Sequence, residues 1–287
     1  MINNTKIAFF GSSKFSIFCL EELKNSDILP NLIITTPDTQ NGRGLKLTPT
    51  PVKIWAEENK IECLTPENLK DQNLIVQLKP EINNLFLVAS YGKIIPKNIV
   101  DLPQKGTLNI HPSLLPRYRG ASPLQTQILN DEKEIGTTIM LMDEKMDHGP
   151  IIGQKKINIQ NWPVKLEELK KILALESVQL FKQIINDWLE NKIVPTEQDH
   201  AQATFTKKVE KIDGLIDLEK DTPYNNFLKI QAYSTWPQAY FFIEKNKQKI
   251  RVIIKDAEFK NNILTIKRVL PENKKEMNYA DFLRGLN

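Results

Sequence analysis

Short apolar runs alternate with amphipathic stretches throughout the first half of the chain, and this rhythm constrains the fold more than any other feature. The runs at 6–10 and 31–35 predict strands, and the run at 85–89, which is almost entirely apolar, is typical of a strand buried on both faces. Apolar residues at helical spacing fill 14–23 and 51–59 between these strands. Such a βαβ order predicts an α/β fold built on a doubly wound, mostly parallel, Rossmann-like sheet.

The second half of the chain has a different pattern. A long amphipathic helix is predicted at 166–189, and a polar stretch follows it. Further on, short runs rich in β-branched or aromatic residues are separated by polar turns, at 239–244, 249–255 and 263–269. The 287 residues therefore predict two domains and a connection, namely an α/β domain at 1–189, a linker at 190–204 and a small OB-like β-barrel domain at 205–287.

The composition excludes several classes of protein. The chain has no run of about 18 apolar residues, so a membrane span is not expected. Its first residues lack the basic lead and the cleavage site of a signal peptide. Its two cysteines, Cys19 and Cys63, stand apart in apolar surroundings, as buried thiols of a reduced compartment do. We therefore expect a cytoplasmic protein with no membrane partner. We also expect a monomer.

Charge is distributed unevenly along the chain. Residues 205–287 contain 16 Lys and Arg against 11 Asp and Glu, whereas residues 1–204 contain 23 basic and 24 acidic residues. The net charge of +4 thus comes from the C-terminal part. A small basic domain attached to a neutral one points to a polyanionic partner, although ordinary surface charge can also produce a surplus of this size.

One long loop, at 36–51, has little apolar periodicity. Loops longer than about 12–15 residues are uncommon in compact domains and are usually functional or disordered. Gly42 and Gly44 flank Arg43, so the backbone around this cation has unusual freedom. Arg43 is therefore a candidate binding residue, and the alternative is a disordered surface loop.

Three polar side chains carry the chemistry that the sequence predicts. Asn109 and His111 are two residues apart, so on a strand they point to the same face. Asp147 lies beyond a second apolar run at 136–142, and the ends of the two strands can bring all three side chains into the crevice where open sheets bind ligands. A base active near neutral pH, an amide donor and a carboxylate suit attack on a carbonyl through a tetrahedral intermediate.

Other chemistries have weaker support in the sequence. Ser113 is near His111, but there is no Gly-x-Ser-x-Gly elbow, so the nucleophile is better sought in the substrate, where an amine is a good candidate. The three histidines are scattered, whereas a zinc site needs clustered ligands. His148 is treated as incidental, since it and Asp147 are successive residues and usually point apart. Glycine patterns of dinucleotide and Walker-type sites are missing. Taken alone, Asn-x-His can also be a polar strand end that caps a loop.

These motifs resemble those of the folate-dependent formyltransferases, a family with branches that act on glycinamide ribonucleotide, on sugar nucleotides and on methionyl-tRNA. The motifs of the catalytic domain are Asn109-Ile-His111, Ser113-Leu-Leu-Pro116, Arg119-Gly120 and Asp147. The resemblance to the methionyl-tRNA branch covers nearly the whole chain, through 42–44, 49–53, 117–123, 136–140, 208–217, Trp236-Pro237 and 282–285. The C-terminal motifs separate the chain from the purine branch, which resembles only the first domain.

The resemblance implies an enzyme that transfers the formyl group of 10-formyltetrahydrofolate to the α-amine of initiator methionyl-tRNA, without a metal. It implies that Asn109 stabilises the oxyanion with assistance from His111, and that Asp147 orients His111 and helps to remove the proton. It also implies a tRNA contact at Arg43, a tRNA-binding C-terminal domain, and a folate pocket lined by Ser113, Leu114, Leu115 and Pro116. The alternatives are a sugar-nucleotide N-formyltransferase, disfavoured by the basic tail and the 42–44 loop, and an inactive binding module, disfavoured by the intact polar triad.

The chain departs from the family pattern at three places. The segment after the first strand reads Gly11-Ser-Ser-Lys-Phe15, where the family usually has Gly-Thr-Pro-Asp/Glu-Phe, and Phe205 stands where Tyr is common. The predicted barrel looks short between Ile254 and Val269, as if a strand pair were trimmed. The first departure bears on recognition near the acceptor end of the tRNA, and the other two fall in the predicted barrel domain.

Overall fold

The strands predicted in the first half of the chain form one sheet in the computed structural model, which describes residues 2, 5–41, 46–79, 83–245 and 247–286. In chain order the strands are β1 (Ile7–Phe10), β2 (Leu32–Ile34), β3 (Thr39–Asn41), β4 (Lys46–Thr48), β5 (Glu62–Leu64), β6 (Leu85–Val88), β7 (Thr107–His111), β8 (Arg119–Gly120), β9 (Ile135–Leu141), β10 (Ile151–Ile157), β11 (Phe205–Thr206), β12 (Tyr240–Lys245), β13 (Gln248–Lys260), β14 (Ile263–Pro271) and β15 (Met277–Asn278). The helices are α1 (Lys14–Asn25), α2 (Pro51–Glu58), α3 (Gln72–Gln77), α4 (Lys97–Val100), α5 (Pro123–Leu129), α6 (Leu166–Leu189), α7 (Pro223–Ala232) and α8 (Tyr279–Arg284), with 3₁₀ helices at His200–Gln202 and Lys211–Gly214.

Two units make up the chain, and each is assembled from separate segments. The first unit contains Met1–Gly120, Glu134–Asn158 and Lys170–Phe205, and the second contains Ala121–Lys133, Ile159–Leu169 and Thr206–Asn287. The polar stretch 190–204 thus belongs to the first unit. The functional division into a catalytic domain, a linker and a binding domain stays a prediction.

The sheet of the first unit has the strand order β10-β9-β7-β6-β1-β2-β5. The five strands from β7 to β5 are parallel to their neighbours, and β9 and β10 are antiparallel. Every residue of β1 and β6 is buried, because helices cover both faces of a doubly wound sheet. The predicted α/β class with a doubly wound, mostly parallel sheet is confirmed.

Aromatic packing fixes the centre of this sheet. Phe10 of β1 lies beside Phe86 of β6, with ring centroids 5.3 Å apart, and meets the edge of Tyr91 at 5.5 Å. Burial raises the pKa of the Tyr91 hydroxyl to about 12. These contacts lie in the largely apolar core that supports the carboxyl ends of β1 and β6.

Helix α1 begins where its capping residues dictate. Ser13 accepts a hydrogen bond from the backbone of Ser16, and the Ser16 hydroxyl accepts from the Ser13 backbone, which forms a capping box. The Ser16 hydroxyl also donates to the Ala89 carbonyl at 2.6 Å. Ser13, the second residue of the unusual Ser-Ser pair after β1, therefore caps the helix together with Ser16.

Strand β9 runs antiparallel to β7, so the ends of these two strands do not meet in the way expected from the sequence. Since β9 is antiparallel to β7, Leu141 at its end pairs with Leu108 at the start of β7, and Thr138 pairs with His111. The carboxyl end of β9 therefore does not lie beside His111, and the loop at 142–150 must turn back to carry Asp147 there. The sequence pattern did not reveal this, because periodicity gives no strand direction.

The second unit contains a four-stranded antiparallel sheet with the order β12-β13-β14-β15. Two long strands, β13 and β14, form a hairpin with bulges around Asp256, in the segment that looked trimmed. Helix α7 packs on this sheet and on α5, and Tyr224 and Phe227 of α7 contact the ring of Phe259. The predicted small, OB-like β-barrel domain corresponds to this four-stranded antiparallel sheet, so the β class of the C-terminal part is confirmed.

Two smaller predictions concern membranes and cysteines. Among the described residues, every helix is too short or too polar to cross a lipid bilayer. Both cysteines carry free thiols; Cys19 is buried, which raises its pKa, and Cys63 is half-buried with its pKa raised by burial to about 11.

Candidate active site

Strand β7 presents Asn109 and His111 on one face, as their spacing predicted. Their side chains lie on the same side as Val88, since Asn109 pairs with Val88 of β6 and with Met140 of β9. Asn109 is 9% exposed and His111 is 4% exposed. Two polar groups are thus held at the edge of an apolar core, where they need partners.

The loop between β9 and β10 supplies the main partner, Asp147. Its carboxylate Oδ1 lies 3.4 Å from Nδ2 of Asn109 and 3.5 Å from Nδ1 of His111. Its Oδ2 accepts a hydrogen bond of 2.7 Å from the backbone N–H of Gly120. The structure therefore brings together the three side chains that the sequence singled out, and Gly120 completes the set.

The other nitrogen of His111 decides where its protons lie. Nε2 is 3.0 Å from the backbone carbonyl of Tyr118, which can only accept, so Nε2 carries a proton and donates it. Nδ1 then faces the Asp147 carboxylate, and a proton between the two removes the repulsion between their lone pairs. The pair can therefore store one proton at Nδ1 or at the carboxylate. A backbone carbonyl that performs this task leaves no signal in the sequence.

The segment Ser113–Pro116 is tied to the sheet by its backbone and by Ser113. The Ser113 hydroxyl donates to the Arg117 carbonyl at 2.7 Å, which gives no sign of an activated nucleophile. The Leu115 N–H donates to Oγ1 of Thr138, and the Leu115 carbonyl accepts from Gln154 at 2.9 Å. Leu115 is buried and Leu114 is half-buried. The role of the segment Ser113–Pro116 in folate binding stays a prediction.

A second set of polar side chains, which the sequence did not single out, supports the Asp147 loop. Gln198 donates to the carbonyls of Asp147 and Gly149, and Arg119 donates to Oε1 of Gln198. Burial lowers the pKa of the Arg119 guanidinium, while the negative charges of Asp147 and Asp143 raise it. Arg119 was visible as part of a family motif, but Gln198 stood in a polar stretch that looked like a linker.

His148 lies outside the triad, as its position next to Asp147 predicted. Its Nδ1 is 2.6 Å from Oδ2 of Asp143, and its ring stacks on His200 with centroids 4.0 Å apart. Across the described parts of the chain, no three His, Cys, Asp or Glu side chains are grouped as a metal site requires.

The long loop at 36–51 contains a short hairpin, since β3 pairs with β4. Arg43 lies outside the described residues, so its predicted tRNA contact stays a prediction from the sequence. Just after the hairpin, Lys53 forms an ion pair of 2.9 Å with Asp38. A hydrogen bond to Asp38 raises the pKa of Lys53, although burial opposes this shift. The pair joins the start of the loop to helix α2.

Comparison with known proteins identifies the family. The family model described as formyl transferase matches residues 5–185. The methionyl-tRNA formyltransferase of Syntrophomonas wolfei is 36% identical, over 98% of this chain and 95% of its own length. That of Thermotoga neapolitana is 36% identical, over 85% of this chain and 78% of its own. The solved methionyl-tRNA formyltransferase of Clostridium thermocellum, at 17% identity, shares the fold with a TM-score of 0.58 over 93% of this chain and 98% of its own. The resemblance in the motifs is thereby confirmed, and the chain belongs to the formyl transferase family.

Proposed function

We propose that this enzyme transfers the formyl group of 10-formyltetrahydrofolate to the α-amino group of initiator methionyl-tRNA. The observation that carries the proposal is that, in a formyl transferase fold, the Asp147 carboxylate lies within 3.5 Å of both the Asn109 amide and the His111 imidazole. Relatives named for this reaction support the choice of acceptor, because they match along most of the chain at 36% identity.

The chemistry follows from the protons that each group holds. The neutral amine attacks the formyl carbon, a new C–N bond forms, and the carbonyl oxygen becomes an oxyanion. Asn109 has two amide N–H groups, so one can meet Asp147 while the other donates to the oxyanion. When the intermediate collapses, the carbonyl re-forms, the bond between the formyl carbon and N10 of the folate breaks, and N10 receives the proton that the His111–Asp147 pair took from the amine.

Asp147 and His111 manage the proton that the amine loses. The Asp147 carboxylate accepts it, and the adjacent His111 Nδ1 shares it, so that positive charge stays near the oxyanion. The Gly120 N–H and the Tyr118 carbonyl hold the two groups in register. Removal of such a general acid–base group typically costs about 10²–10⁴-fold in rate.

The folate donor is placed against the segment Ser113–Pro116. The half-buried side chain of Leu114 suits the flat pterin ring and the buried Leu115 supports it from beneath, while the backbone of the segment is held in place by Thr138 and Gln154. A preformed wall of this kind is typical of small-molecule sites.

We place the tRNA against a surface of the second unit, here called the Phe242 surface, which is formed by Phe242, Lys249 and Arg251 beside the buried ring of Tyr240. Lys249 Nζ lies 4.5 Å from the ring centroid of Phe242, and Arg251 Cζ lies 3.8 Å from that of Tyr240. Phe242 is 38% exposed. The cations can bind phosphates, and the aromatic rings can stack on unpaired bases.

We also place the enzyme in the cytoplasm as a monomer, and light scattering of the purified protein tests the oligomeric state.

An acceptor competition tests the proposal. The enzyme is given 10-formyltetrahydrofolate together with methionyl-tRNA and an amino-sugar nucleotide, and both products are quantified. We expect formylmethionyl-tRNA to form and the sugar to stay unmodified. Preferential formylation of the sugar would favour the alternative branch, and no transfer to either acceptor would refute both.

A further inference from the structure

The loop that carries Asp147 depends on contacts from outside itself. Asp147 adopts a left-handed backbone conformation with φ of +50°, which residues other than glycine seldom populate. At Gly149, an added Cβ would lie only 2.0 Å from the Leu141 carbonyl oxygen, so the loop has no room to shift towards β9. The direction of the Asp147 carboxylate therefore depends on the contacts that hold the backbone of this loop.

One amide group bridges the loop. Nε2 of Gln198 donates to the carbonyl of Asp147 at 3.0 Å and to the carbonyl of Gly149 at 2.7 Å. Gln198 is 5% exposed, so its amide group has little access to water. Because both hydrogen bonds come from one nitrogen atom, they keep the carbonyls on either side of His148 pointing at Nε2 of Gln198.

Arg119 fixes the orientation of that amide. Its Nε and Nη2 donate to Oε1 of Gln198 at 3.2 and 2.6 Å, and Arg119 is itself 3% exposed. Because a guanidinium has no acceptor atom, Oε1 must face Arg119 and Nε2 must face the loop. Nη2 of Arg119 also lies 2.9 Å from Nδ1 of His200, which holds the guanidinium from the other side.

We propose that Gln198 is a positioning residue for formyl transfer, which fixes the Asp147 backbone so that its carboxylate meets Asn109 and His111. This inference rests on the catalytic role proposed above for Asp147. Arg119 acts one step further out, by holding the amide of Gln198 in its donating orientation.

The substitution Gln198→Glu tests the inference with little change of shape. The carboxylate still pairs with Arg119, but it has no N–H for the two carbonyls and repels them. We expect kcat to fall by about 10²-fold, the typical cost of a small misplacement of a reacting group, with KM for both substrates nearly unchanged. Gln202→Glu is the matched control, because Gln202 is exposed and donates to Asp199; its kcat should equal that of the wild type.

A double-mutant cycle with Asp147→Asn separates positioning from general loss of structure. The rates are measured in single turnover with enzyme in excess, so that small residual rates are visible. If Gln198 acts through Asp147, Gln198→Glu should cost much less in the Asp147→Asn background than in the wild type. Losses that multiply in the double variant would overturn the inference.

Two further results keep the outcomes distinct. If circular dichroism shows that Gln198→Glu is unfolded, Gln198→Asn replaces it, since its shorter stem cannot reach both carbonyls and the same loss of kcat is expected. Wild-type kcat in a folded Gln198 variant overturns the positioning role alone. Wild-type kcat in Asp147→Asn would instead overturn the proposed catalytic site.

Discussion

The triad of the first unit and the Phe242 surface of the second hold their polar groups in opposite ways. Asn109 and His111 are at most 9% exposed, and each contacts a group that is fixed by further hydrogen bonds. Lys249, in contrast, is exposed and lies over the partly exposed ring of Phe242. The difference teaches what each region can contribute: a buried, cross-linked group is positioned for chemistry, and an exposed cation on a ring is suited to capture a large anion. Changes in the first region should therefore lower kcat, and changes in the second should raise KM for the tRNA.

Asp147→Asn should have the largest effect. The amide cannot accept the proton of the attacking amine, and it cannot balance the charge of His111. We expect kcat to fall by about 10²–10⁴-fold, and His111→Ala should fall in the same range. Steady-state formylation of methionyl-tRNA measures this, with the thermal unfolding midpoint as the control for folding. A folded variant with wild-type kcat would contradict the assignment.

Asn109→Ala should come next. The loss of one oxyanion donor typically lowers kcat by about 10²–10³-fold, and KM should change little because the donor acts mainly in the transition state. Thr126→Ala provides a matched polar control on α5, where the Thr126 hydroxyl donates to the Ser122 carbonyl. An effect of Asn109→Ala confined to KM would show that the amide binds substrate without stabilising the oxyanion.

Phe242→Ala should weaken the capture of tRNA without changing the chemistry. Stacking of one base on an aromatic ring contributes about 1–3 kcal/mol, which corresponds to roughly tenfold in affinity near the lower end of the range. The dissociation constant for methionyl-tRNA, measured by filter binding, should rise while kcat is kept. Unchanged affinity would remove the Phe242 surface from the tRNA site.

Lys249→Ala should have a smaller effect that depends on salt. Each phosphate contact contributes about −0.7 to −0.9 to the slope of log affinity against log salt concentration, so the slope should become shallower by about one contact. Lys267→Ala is the matched control in the same sheet, because Lys267 pairs with Glu258 at 3.1 Å. Equal slopes for the two variants would mean that charge anywhere in the sheet is equivalent.

Arg43→Ala should have the smallest effect of the series. A single cation between Gly42 and Gly44 is expected to contact the acceptor end of the tRNA, so use of methionyl-tRNA should weaken a few-fold while folate affinity is kept. Folate binding is measured by fluorescence titration. A folate defect as large as the tRNA defect would assign the loop a different role.

The second unit is assembled from three separate segments, so a truncation cannot remove it as a whole. Its later elements are tied to segments from earlier in the chain: Lys165 pairs with Asp256 of β13 at 2.8 Å, and α5 packs on α7. A chain ending near 197 would lose the partners of these segments, and it would also lose Gln198. The truncated protein would therefore change the catalytic loop and the tRNA surface together.

Much of the fold and the triad could be predicted from residue patterns. The helix at 166–189 was predicted with the bounds it has in the structure, because its apolar residues recur at helical spacing over 24 residues. Asn109 and His111 were placed on one face because side chains alternate along a strand. Asp147 was assigned by its chemistry and its family motif.

The remainder depends on contacts that leave little trace in a single sequence. Strand direction at β9 is set by connections and packing, so the pattern at 136–142 could not show that the Asp147 loop turns back. The Tyr118 carbonyl and the Gly120 N–H are backbone groups: every residue provides the carbonyl, and every residue except proline provides the N–H. Gln198 is one buried glutamine within a polar stretch, and only the folded chain shows that its amide meets two carbonyls.

The most direct test of the division between chemistry and capture is the single-turnover rate of formylation at saturating 10-formyltetrahydrofolate and methionyl-tRNA. Saturation removes differences in tRNA affinity, so the rate reports the transfer step alone. We expect Asp147→Asn to lower this rate by at least about 10²-fold, whereas Phe242→Ala should leave it at the wild-type value. A wild-type rate in folded Asp147→Asn, or a large loss in Phe242→Ala, would contradict the division between chemistry and capture.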